Sequence, residues 1–169
     1  MTPRRPTHND ARTSVLFVCL GNICRSPIAE GVFLHLARER GVEGRFLVDS
    51  CGTGGWHVGE PPDPRARAAA ERHGVRLVSR ARRLDPGADF ARFDWLIPMD
   101  RQNKKDLLAE GAPADRVRLL RAFDPALAGA PERELDVPDP YWDEADGFDT
   151  VFGMIRAACG GMLDELSSD

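Results

Sequence analysis

The chain has 169 residues, 42% of them hydrophobic and 30% charged, with a net charge of −4. That size fits one domain with its own core, no stretch offers the roughly 18 consecutive apolar residues of a membrane span, and an acidic balance does not favour nucleic acid. The four cysteines, Cys19, Cys24, Cys51 and Cys159, show neither a disulfide framework nor zinc-site spacing, so a reducing, cytoplasmic setting with no metal or cofactor is expected.

Residues 1–13 are basic but have no apolar stretch behind them long enough for a signal peptide, and they read as a flexible tail before a single domain over residues 14–169. Export by a route that needs no signal peptide stays open. Residues 14–19, Ser-Val-Leu-Phe-Val-Cys, form an apolar, β-branched run that stops at Gly21, the pattern of a buried parallel strand. A helix should follow, with Ser26 as its N-cap, Pro27 in the first helical position, and Ile28, Val32, Phe33 and Leu36 along its apolar face. Residues 46–50 read as a second strand, and Asp63-Pro64 opens a helix over residues 65–72 that ends at Gly74. Residues 94–98 form a third strand, 101–110 a short helix, 117–120 a fourth strand and 148–166 a long closing helix. Between the last two lies a Pro-, Asp- and Gly-rich stretch, residues 124–147, of the length that compact domains reserve for functional loops. This alternation predicts an α/β fold: a single three-layer domain with a four-stranded parallel sheet, helices on both faces, and a ligand site beyond the carboxyl ends of the strands.

The loop after the first strand falls at that place. Residues 19–26, Cys-Leu-Gly-Asn-Ile-Cys-Arg-Ser, put a thiol and a guanidinium on a tight turn into a helix N-terminus. Backbone N–H groups of such a turn, with the helix dipole, cradle a phosphate dianion. The same field favours a thiolate, which makes Cys19 the candidate nucleophile. Arg25 is placed to grip two phosphoryl oxygens as charge spreads over them. Gly21 lets the backbone approach the anion, and Asn22 is among the few residues besides glycine that tolerate positive φ. Ser26 is positioned to donate to Cys19 as a leaving thiolate. All of the 23 basic residues except Lys104 and Lys105 are arginines, the side chain best suited to a two-pronged hold on oxyanions.

Residues 18–27, Val-Cys-Leu-Gly-Asn-Ile-Cys-Arg-Ser-Pro, resemble the signature of the low-molecular-weight protein tyrosine phosphatases nearly letter for letter. Asp49-Ser50, Trp56, residues 59–65, Met99-Asp100 and Asp139-Pro-Tyr resemble that family's other landmarks in the same order, so the resemblance covers about residues 14–166. It implies hydrolysis of phosphotyrosine through a phosphocysteine, with Cys19 as nucleophile, Arg25 as transition-state clamp and Asp139 as general acid and then base. Asp139 lies between Pro138 and Pro140, on a stiffened loop. The resemblance also puts Leu20, Gly21, Asn22, Ile23, Cys24, Ser26, Trp56, Tyr141 and Trp142 around the substrate, and Asp49, Ser50 and Asp100 in support. Ile23 stands where an arginine-dephosphorylating relative carries threonine, and its bulk favours phosphotyrosine.

The implied partners are phosphotyrosine-containing proteins or small aryl phosphates, met by a monomer or a weakly self-associating chain. Cys24 is implied as a thiol that traps an oxidised Cys19 in a reversible disulfide. One departure stands out, because Ser79 occupies the place where relatives often carry a histidine near the glutamate that matches Glu30. A thioredoxin-coupled arsenate reductase uses a similar loop but needs two more cysteines near the middle of the chain, where only Cys51 stands. A phosphoprotein-binding module would need neither the Cys19 thiol nor the Asp139 acid. The Arg- and Ala-rich composition points to a high-GC bacterial source.

Overall fold

A computed structural model describes residues 11–168, so most of the expected tail lies outside the described residues, and Thr13 already belongs to a strand. Strands β1 (Thr13–Cys19), β2 (Phe46–Gly52) and β3 (Trp95–Pro98) make a parallel sheet in the order β2-β1-β3. The helices are α1 (Arg25–Glu39), α2 (Pro64–Glu71), α3 (Pro86–Arg92), α4 (Arg101–Ala109) and α5 (Ala145–Leu166). Side chains alternate across β1, sending Val15, Phe17 and Cys19 into one apolar cluster and Leu16 and Val18 into another. The first cluster takes Phe33 of α1, Ala66 of α2 and Phe148 and Phe152 of α5. The second takes Leu96 of β3 and Leu107 of α4, with Phe90 of α3 against it. Helices therefore cover both faces of the central strand, and the expected three layers are present.

The sheet has three strands, not four. Val117 makes one isolated bridge to Leu96. After it the chain tightens into a 3₁₀ turn at Leu120–Phe123, which buries Leu120 and Phe123 in the larger cluster and ends any pairing. Ser26 is not an N-cap either: α1 starts at Arg25, two residues before the expected Pro27, with Cys24 in the cap position and no side-chain cap, and the Ser26 hydroxyl is drawn to Cys19 and Asn22. Asp63 caps α2 as expected, its carboxylate accepting from Arg65 N at 2.8 Å. The same Asp-Pro signal recurs at Asp85-Pro86 and opens α3, a helix the sequence reading passed over. Among the described residues no helix is long and apolar enough to cross a membrane.

Helix α5 presses on the 3₁₀ turn through two adjacent glycines with opposite surroundings. A Cβ on Gly161 would fall 2.0 Å from the Phe123 carbonyl oxygen, whereas one on Gly160 would meet nothing within 4 Å. Replacing glycine inside a helix gains up to about 1 kcal/mol, and forcing extra volume into a packed contact costs about 1–3 kcal/mol. Gly160→Ala should therefore raise the urea midpoint and Gly161→Ala should lower it, with the m-value unchanged in both.

Candidate active site

Strand β1 ends on Cys19 and α1 begins on Arg25, so the loop between them closes over the carboxyl edge of the sheet. Cys19 is 2% exposed and its Sγ lies 3.0 Å from Ser26 Oγ. Asn22 N donates to the same sulfur at 3.3 Å. Asn22 has φ 58° and is the one non-glycine residue with positive φ among the described residues. Its side chain holds that conformation from three sides: Nδ2 donates to Ser26 Oγ at 2.8 Å and to Ser50 Oγ at 3.0 Å, and Oδ1 accepts from Arg82 N at 3.0 Å. Helix α1 has no side-chain cap, so no side chain takes up its first N–H groups, the kind of donors that suit an anion.

Arg25 is buried, and its Nη1 donates to Asp100 Oδ2 at 2.6 Å and to the Val137 carbonyl at 2.9 Å. Burial opposes the Arg25 charge, but Cys19, Asp100 and Asp139 outweigh it and hold the guanidinium above its ordinary value. Asp100 caps α4 with its other oxygen, which accepts from Asn103 N at 2.7 Å. Asp139 Oδ2 lies 3.7 Å from Arg25 Nη2, and its Oδ1 accepts from Tyr141 N at 3.0 Å. That bond turns the carboxyl so that one oxygen faces the guanidinium across the cavity mouth.

A cavity of about 330 Å³ opens above the loop, lined by Cys19, Leu20, Gly21, Ile23, Cys24 and Arg25 below and by Trp56, His57, Asp139, Tyr141 and Trp142 above. The expected aromatic walls are present at its mouth, but Trp56 and Trp142 are 72% and 89% exposed, so the rim is open. Asn22 and Ser26 are buried, and their polar side-chain atoms bond to Cys19, to Ser50, to Arg82 N and to each other. Asp49 and Ser50 stand behind Asn22, with Asp49 Oδ1 accepting from Ser50 N at 2.8 Å and Oδ2 from Arg82 Nε at 3.1 Å.

The residues 14–169 match the family model described as low molecular weight phosphotyrosine protein phosphatase. The chain belongs to that family. A low molecular weight protein-tyrosine-phosphatase of Streptomyces coelicolor is 44% identical over 153 residues, covering 88% of this chain and 90% of that one. Among solved structures, a protein tyrosine phosphatase from Entamoeba histolytica aligns with a TM-score of 0.83 at 31% identity, covering 91% of this chain and 96% of its own. The Drosophila arginine phosphatase aligns with a TM-score of 0.81 at 30% identity, covering 92% and 98%.

Three residues important to this phosphatase loop went unassigned in the sequence. Arg82 pairs with Asp89 at 3.0 Å as well as with Asp49, and its backbone N–H fixes Asn22. No motif announces it, because it follows α2 in an irregular, Arg-rich stretch. Arg65 donates from Nη2 to the Tyr141 carbonyl at 2.9 Å and from Nη1 to that of Asp143 at 3.0 Å, tying the segment after Asp139 to α2. His57 lies against Gly21, where an added Cβ would fall 3.1 Å from its ring, and its Nδ1 is 2.8 Å from Glu60 Oε2. A search for metal-ligand spacing passes over a histidine that serves as a wall.

Cys24 is buried, and burial, reinforced by Asp63, Cys19 and Asp139, pushes its thiol well above the ordinary range. Glu30 lies on α1 behind Ser50, with Oε1 buried and unpartnered among the described residues. Burial lifts its carboxyl from 4.5 to about 7, with Ser50 and Arg82 opposing the rise and Asp49 adding to it. A carboxyl raised on folding binds more protons in the native state than in the unfolded one, so its contribution to stability is lost as pH climbs from about 4.5 through 7. Glu30→Gln removes that loss. Urea titrations of the parent and the variant should diverge over this window, leaving the variant on the order of 1–3 kcal/mol more favoured at pH 8 than at pH 4 relative to the parent.

Proposed function

We propose that this chain hydrolyses phosphotyrosine by way of a phosphocysteine on Cys19. The observation that carries the proposal is the loop itself, where a buried sulfur 3.0 Å from Ser26 Oγ sits at an uncapped helix start with Arg25 alongside. The Cys19 thiolate attacks phosphorus, an S–P bond forms, and the bond from phosphorus to the phenolic oxygen breaks. Acting as general acid, Asp139 gives a proton to the departing phenolate oxygen. Arg25 and the loop N–H groups hold the equatorial oxygens as their charge shifts. In the second step the Asp139 carboxylate takes a proton from an attacking water, the S–P bond breaks, and inorganic phosphate leaves. Ser26 and Asn22 N stabilise the returning thiolate.

Phosphotyrosine is favoured over phosphoarginine by what lines the cavity. Ile23 lies in its wall, and Tyr141 packs edge-on against Trp142 at 4.9 Å beside the mouth, a surface suited to a phenyl ring. Cys24 beside it supplies the protecting thiol: Cys19 sulfenic acid, formed by a peroxide, condenses with the Cys24 thiol to a disulfide and water.

With EDTA present, the parent protein should hydrolyse p-nitrophenyl phosphate, Cys19→Ser should be inactive, and Asp139→Asn should lose about 10²–10⁴-fold in kcat. Full activity of Cys19→Ser would sink the mechanism. In matched peptides phosphotyrosine should turn over faster than phosphoserine and phosphoarginine; equal rates on all three would refute the role given to the aromatic mouth. After brief peroxide exposure, a thiol reductant should restore the parent but not Cys24→Ser.

A further inference from the structure

On the far side of Trp56 lies a second and larger cavity, about 810 Å³, which shares Leu20 and Trp56 with the catalytic one. The two are thus neighbouring troughs separated by a single indole. A methyl group on Gly54 would fall 1.9 Å from the Trp56 ring, so that ring lies on bare backbone and owes its position to the glycine. Arg83 lies along the next residue, its Cδ 3.3 Å from where a Cβ of Gly55 would be. The backbone under Arg83 is anchored beside the end of β2, by a bridge to Gly52 and by Leu84 N donating to the Gly52 carbonyl at 2.8 Å. Leu84 and Pro86 complete an apolar floor, and Asp106 of α4 and Glu110 just past its end close the opposite side.

We infer that this groove seats the polypeptide next to the phosphorylated residue, with an acidic side chain of the substrate on Arg83. The inference rests on the phosphotyrosine reading above. Continuity points to the occupant, because the Leu20 and Trp56 side of the catalytic cavity opens directly onto the groove, so a chain whose phosphorylated ring enters that cavity can run on across these two residues into it. Charge decides the chemistry. Arg25, Arg65 and Arg82 are all ion-paired, whereas Arg83 makes no ion pair among the described residues although it borders an open cavity. A carboxylate supplies the planar partner that a guanidinium lacks. Asp106 and Glu110 repel acid on the α4 side, which confines the preferred acidic residue to the end of the groove nearest Trp56.

The test uses phosphotyrosine peptides that carry Asp, Ala or Lys immediately before or after the phosphorylated residue, with Arg83→Glu as the variant. On one side of the phosphotyrosine the parent should prefer Asp to Lys in kcat/KM, and Arg83→Glu should lower turnover of the Asp peptide roughly three- to ten-fold and favour the Lys peptide, the range expected for exposed charge pairs. Hydrolysis of p-nitrophenyl phosphate, which is too short to reach the groove, should stay the same in the variant. If that small substrate is not hydrolysed by the parent, the phosphatase reading has failed; the groove is then tested by the affinity of the same peptides for Cys19→Ser protein with and without Arg83→Glu. An unchanged order of peptides in the Arg83→Glu protein overturns the inference. So does a concentration-dependent dimer that Arg83→Glu dissolves, because a second copy of the chain would then be the occupant.

Discussion

Asn22 is the residue on which the site's geometry depends. The five residues between β1 and α1 fold back over the end of the strand with one of them, Asn22, left-handed, and that residue also presents its N–H to the Cys19 sulfur. Positive φ costs a non-glycine residue of order 1–3 kcal/mol unless its surroundings impose it. Three side-chain hydrogen bonds to Ser26, Ser50 and Arg82 impose it. Behind them Asp49 and Asp89 hold Arg82, so two carboxylates, a guanidinium and an amide keep the loop in one shape before any anion arrives. In the mechanism proposed for Cys19, such preorganisation would let the N–H groups act on developing charge without reorganising.

The proposed chemistry also needs a buried positive charge with one side left open to substrate. Asp100 and the Val137 carbonyl share one nitrogen of Arg25, which leaves the other directed toward Asp139. Both partners come from segments that follow β3, and Val137 N in turn donates to the Met99 carbonyl at 2.8 Å. The long connection over residues 124–144 is therefore pinned to the sheet edge at Val137 and to α2 through Arg65, with Asp139 between the two anchors. A loop held at both ends can carry an acid close to Arg25 and still allow it to move.

Much of this was legible in the sequence, and the reasons differ from element to element. Strand β1, the Cys19 loop and α1 were readable because a β-branched run, Gly-Asn and Arg-Ser-Pro each carry a local physical meaning. Asp139 could be placed only by its order in the chain and by resemblance, since an Asp-Pro turn has no chemistry of its own. The fourth strand was misread because residues 117–120 have strand-like side chains, whereas their pairing is decided by the tertiary burial of Leu120 and Phe123. Ser26 shows the same limit on a smaller scale: its type suits an N-cap, but the loop competes for its hydroxyl and wins. Arg82, Arg65 and His57 act across 60 to 78 residues or through packing over a glycine, relations that no local pattern encodes.

A covalent phosphocysteine on Cys19 is detected most directly by mass spectrometry of rapidly acid-quenched turnover. Asp139→Asn protein mixed with an aryl phosphate that has a good leaving group should accumulate one phosphoryl group on the peptide that contains Cys19, because the second step has lost its base. A protein that turns over with no adduct at Cys19 at any quench time, or with the phosphoryl group on another residue, would contradict the account.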